Sequence, residues 1–172
     1  MDRFLAKALR LLALQLVVLT AVIHLSWGLP RAFVYLDPAA IELYLTTPAL
    51  PDPRPVLFVL SGGAIAVGIV ATWRGHLSLS RAYKLGILMM AVYVVGWALW
   101  HTTGHGQLFF GEAVSSTAGG GGDHHGGILH TIVDHIVTLP LEAASKSAEV
   151  GAIALFVALL RGDPDLTDDE RW

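Results

Sequence analysis

Cysteine is absent from all 172 residues. That excludes disulfides, thiolate metal sites, thioether-attached haem and cysteine nucleophiles, so any metal would have to be held by nitrogen and oxygen. Charge is scarce too. Asp, Glu, Lys and Arg make up 15% of the chain, where soluble domains carry about a quarter. The formal net charge is only −3 and there is no basic cluster, so nucleic acid is not an expected partner. No H-E-x-x-H pair, nucleophile elbow or dinucleotide fingerprint occurs, and the glycine run at 119–122 lacks the strand–helix context of a phosphate loop. Nothing in the sequence calls for an enzyme.

What is abundant is apolar. Hydrophobic residues form 54% of the chain and the mean hydropathy is +0.60. Long apolar runs with so little charge indicate an all-α, polytopic integral membrane protein of four transmembrane helices. The spans are expected at about 8–27, 56–73, 84–102 and 128–160, each near the ~20 residues needed to cross hydrocarbon. The first resembles a secretory signal, but it is too long for an h-region and no small-x-small site follows, so it reads as an uncleaved helix. Pro140 falls inside the fourth run, which is read either as kinked or as broken there.

Lysine and arginine set the orientation. Arg3, Lys7 and Arg10 precede the first span, and Arg74, Arg81 and Lys84 lie between the second and third. The first loop holds only Arg31 and Arg54, and the third loop none. Both termini are therefore expected in the cytoplasm of a prokaryotic cell, with the protein multi-pass in its plasma membrane. The acidic segment 161–172 forms a cytoplasmic tail, and a Gly/His-rich loop at 111–127 lies outside. A short helix is expected near 38–45 in the first loop. Small faces on the second span (Gly62, Gly63, Ala64, Gly68) and the fourth (Ala144, Ala148, Ala152, Gly151) suit close helix packing.

In this orientation His24, His101, His105, His124, His125, His130 and His135 lie at or above the outer face, and only His76 lies opposite. Counting about 1.5 Å of rise per residue, His24, His101 and Glu142 reach similar depth. His24, His101, His105, His130 and His135, assisted by Glu142 or Asp134, form a candidate site for iron, copper or zinc, because imidazole and carboxylate suit these ions. The same geometry would let His24 and His101 ligate a b-type haem from two sides, with Gly28 and Gly96 leaving room for the ring and Arg31 and Arg54 near the propionates. Against both stands a plainer role: histidines at helix ends bond free carbonyls and meet a favourable dipole.

Glu142, Lys146 and Glu149, spaced four and three apart, share one face of the fourth span. Ionisable groups at that depth usually face a bundle interior. They read as a proton or ion path, as an internal pair orienting the helix, or as a surface for a partner. The functions in play are thus a metal- or haem-binding membrane protein, a structural or assembly subunit docked on a partner or on its own copies, and a proton-coupled carrier using Glu142, Lys146 and Glu149.

Overall fold

The architecture comes from a computed structural model, which describes residues 1–46, 52–102, 133 and 137–167. Among the described residues helix is the one regular structure: α1 (Arg3–Val34), α2 (Pro38–Thr46), α3 (Arg54–Trp73), α4 (Leu79–Thr102) and α5 (Pro140–Gly162). All but α2 are long and apolar enough to cross a membrane.

Local chemistry explains the boundaries. Asp2 caps α1 by accepting the Leu5 amide at 2.8 Å. The helix runs 32 residues, about 48 Å, and overshoots the expected span at both ends, starting at Arg3 and continuing through Pro30 and Arg31 to Val34. Asp37 accepts from the Ala39 amide at 2.8 Å and starts α2, the helix expected in the first loop. Past the end of α3, Gly75 takes φ +75°, a left-handed conformation that glycine adopts at no steric cost. Pro140 opens α5 rather than kinking it: Leu139 before it is extended, and a proline's missing N–H is harmless in the first turn of a helix.

Helix α1 lies between α3 and α5, α4 packs on α5, and the seam between α3 and α4 is looser than these. Glycines set the close approaches. A Cβ on Gly28 would stand 2.9 Å from the Phe58 Cβ and 3.0 Å from the Pro55 carbonyl oxygen. Gly62 lies under Leu25, Gly86 under the Phe156 ring and Gly151 beside Leu16. Of the two small faces, α5 buries Ala148 and Ala152, whereas Gly63 and Gly68 on α3 have nothing within 4 Å.

Helices α1 and α5 run antiparallel, tied at one end by Arg10 and Asp163. Asp163 also accepts from the Tyr83 hydroxyl at 2.7 Å, which brings the start of α4 to the same end. Above this tie the core is apolar: Ala13, Leu159 and Leu160, then Val17, Ala21, Met90 and Ala152. The outer surface is apolar as well, with Leu60 64% and Val67 69% exposed. Two ionisable side chains of α5, by contrast, are inside. Glu149 is 0% exposed and Lys146 8%, a distribution suited to lipid rather than to water.

Candidate functional site

The polar interior begins where the apolar core stops. Fourteen residues from Arg10 on α1, and fourteen from Asp163 on α5, His24 meets Glu149, about 21 Å from that end. His24 Nδ1 lies 2.9 Å from the Thr20 carbonyl oxygen. A carbonyl only accepts, so Nδ1 carries the proton and Nε2 is left to face Glu149 Oε1 at 3.8 Å. In that tautomer two acceptors, Nε2 and the carboxylate oxygen, face one another. The separation is too long for a direct hydrogen bond.

Three helices hold the imidazole in place. The Tyr93 ring of α4 stacks on it at 4.1 Å, and Phe58 of α3 meets its edge at 4.5 Å. Tyr93 donates its hydroxyl to Ser61 Oγ at 2.5 Å, which ties the loose α3–α4 seam beside the site. Glu149 is held from its own helix: Ser145 Oγ donates to Oε1 at 2.7 Å and Lys146 Nζ to Oε2 at 2.5 Å. Lys146 Nζ also lies 3.4 Å from the Tyr93 carbonyl oxygen and 5.7 Å from the centre of the Trp97 ring. One turn below His24, the Thr20 hydroxyl is the one buried side-chain polar atom among the described residues that lacks a hydrogen-bond partner; there the polar string ends.

The arrangement repeats one level up. His101 Nδ1 bonds the Trp97 carbonyl oxygen at 2.9 Å, and its Nε2 stands 3.9 Å from Glu142 Oε2. Trp97 Nε1 donates to that same oxygen at 2.9 Å. Each histidine thus bonds the carbonyl one turn back in its own helix and turns its second nitrogen to a carboxylate; His101 lies at the end of α4, whereas His24 lies inside α1. Lys146 lies between the two levels.

Of the expected outer cluster, His24, His101 and Glu142 lie among the described residues. His24 is brought to Glu149 and His101 to Glu142, and among the described residues no three His, Asp or Glu side chains gather closely enough to hold a metal ion. His105, His130, His135, His124, His125 and Asp134 lie outside the described residues. The haem geometry finds little room at Gly28, whose space α3 fills, while Gly96 has nothing within 4 Å. Arg54 donates from Nε to Asp52 Oδ1 at 3.0 Å and from Nη2 to Oδ2 at 2.6 Å, and stacks on Trp100 at 3.7 Å; Arg31 lies over Trp27 at 4.2 Å.

Four contributors escaped the sequence reading: Thr20, Ser61, Tyr93 and Ser145. A signal for them exists, since each is a hydroxyl inside an apolar span, and Ser145 sits one helical turn from Glu149. The Arg10–Asp163 tie was missed as well, although a basic residue in the first turns and an acid just past the last helix were both in view. Comparison with protein-family models, with curated proteins and with solved structures gives no match.

Proposed function

We propose that this chain is a plasma-membrane carrier driven by proton movement, with both ends in the cytoplasm and Glu149 as its deep acceptor. The observation that carries the reading is the Glu149 carboxylate, 0% exposed, with an ammonium on one oxygen and an imidazole nitrogen facing the other. Glu142 and His101 form the outer station, Lys146 lies between, and His24 and Glu149 form the inner one. Below Thr20 the apolar core shuts the path, which suits a carrier that opens alternately rather than a pore. The orientation rests on Arg3, Lys7, Arg10, Arg81 and Lys84, which the Arg10–Asp163–Tyr83 contacts bring to one end of the bundle.

The test is reconstitution in liposomes holding a pH-sensitive dye. A pH jump is applied with and without a panel of small cations, anions and amino acids. Solute-stimulated proton flux in the wild type, lost in Glu149→Gln, supports the reading. Wild-type liposomes that behave as empty ones throughout would refute it.

A second reading, transition-metal binding at the outer end, is favoured by the approach of His101 Nε2 to Glu142 Oε2 at 3.9 Å. Nitrogen and oxygen donors of this kind suit zinc, copper or iron. Elemental analysis of untagged protein decides it: metal near one per chain, lost in His101→Ala, is the expected result, and metal-free folded protein counts against it.

A further inference from the structure

The ammonium of Lys146 occupies a place built for a cation. Its nitrogen touches the Glu149 carboxylate at 2.5 Å and the Tyr93 backbone carbonyl at 3.4 Å, with the Trp97 ring at 5.7 Å. A carboxylate, a carbonyl and an aromatic face are the three groups that recognise an ammonium. This set is drawn from two helices, α4 and α5, and it lies inside the bundle, where none of the three has water as an easy alternative.

Lys146 also has somewhere else to go. Glu142 sits four residues before it and Glu149 three after, so one flexible stem can reach either carboxylate. In the structure the lysine is seated at Glu149, while Glu142 is held by Trp97 Nε1 at 2.9 Å. Glu142 and Glu149 together offer two carboxylates to one lysine, so one of them is open to a second, untethered cation.

We propose that the Glu149–Tyr93–Trp97 pocket binds a small primary ammonium, and that Lys146 is its tethered stand-in, displaced towards Glu142 when the guest enters. The inference rests on the carrier reading and names its substrate class. The ligand is a primary ammonium because the groups that would receive it now hold one, Lys146 Nζ; a quaternary ammonium has no N–H to donate to them.

Binding is measured without transport, in detergent, so the failure of this inference and the failure of the carrier reading are separable. Lys146→Ala vacates the seat. Methylammonium should raise its Tm by about 3 °C or more, whereas tetramethylammonium at matched ionic strength should not, and Lys146→Ala combined with Glu149→Gln should show no rise. Equal effects of the two ions, or a rise that survives Glu149→Gln, would overturn the proposal. Should Lys146→Ala not fold, tryptophan fluorescence of the wild type is titrated with methylammonium. A saturating change that disappears in Trp97→Phe supports the pocket, and the lack of any such change overturns it.

Discussion

His24 Nε2 stands 3.8 Å from Glu149 Oε1, with the imidazole fixed from behind by its Nδ1 bond to the Thr20 carbonyl. The pairing joins α1 to α5 in the middle of a bundle whose exterior is leucine and valine. Its cost in desolvation is met by Lys146 and Ser145, which donate to the same carboxylate. These contacts are interdependent, and that makes the group testable.

Glu149→Leu should destabilise the protein by about 3–5 kcal/mol, because it removes the carboxylate on which the Lys146 ammonium is seated. Replacing both partners, Lys146→Met with Glu149→Leu, should recover most of that loss, since apolar side chains of similar volume remove the desolvation cost altogether. Thermal unfolding in detergent of the two single variants and the double measures it. A double variant as unstable as the sum of the singles would mean that Lys146 and Glu149 are not coupled.

At the far end, Asp163 dictates an acid limit. Burial pushes its carboxyl up, but the hydrogen bonds from Arg10 and Tyr83, the Asp165 amide and the Arg10 charge outweigh burial and hold it below the usual carboxylate value. A lowered folded value means that the tie adds stability above the unfolded pKa of about 3.9 and loses it as pH falls through the folded value. Tm should therefore hold between neutral pH and about 5, then decline below about 4. Asp163→Asn should lower Tm at neutral pH and flatten that acid limb, and a limb of unchanged steepness would assign it to other carboxylates.

How much of this was legible in the sequence follows from the same residues. Apolar runs disclosed the four spans, and four-and-three spacing put Glu142, Lys146 and Glu149 on one face. The pairing across helices was not legible. Depth was counted from Ala8 and Leu160, where apolarity ends, and that matched His24 to Glu142. The register is instead pinned by Arg10 and Asp163, and this brings Glu149, seven residues after Glu142, level with His24. Hydropathy finds a helix; it does not say where its neighbour's zero lies.

The glycines separate packing from open surface. Gly28→Ala would drive a methyl into the Phe58 Cβ and the Pro55 carbonyl, neither of which can swing away, and should cost about 1–3 kcal/mol. Gly63→Ala and Gly68→Ala meet nothing within 4 Å and should be neutral or gain up to about 1 kcal/mol from helix propensity. The three Tm values check this directly. A loss at Gly63 or Gly68 would instead show that another helix covers α3, and cross-linking would then identify whether it belongs to a second copy of the chain.

His24 allows shape and chemistry to be pulled apart. His24→Phe keeps a flat ring between Tyr93 and Phe58 but removes both nitrogens, so the bundle should fold with a modest loss of stability. His24→Ala also removes the stacking and leaves a void, costing on the order of 3 kcal/mol. If Nε2 is the proton's partner across from Glu149, His24→Phe should lose proton flux as fully as Glu149→Gln while unfolding near the wild-type temperature. Measured side by side, flux that survives in His24→Phe would make the imidazole a packing element, and the deep station would then consist of Glu149 and Lys146 alone.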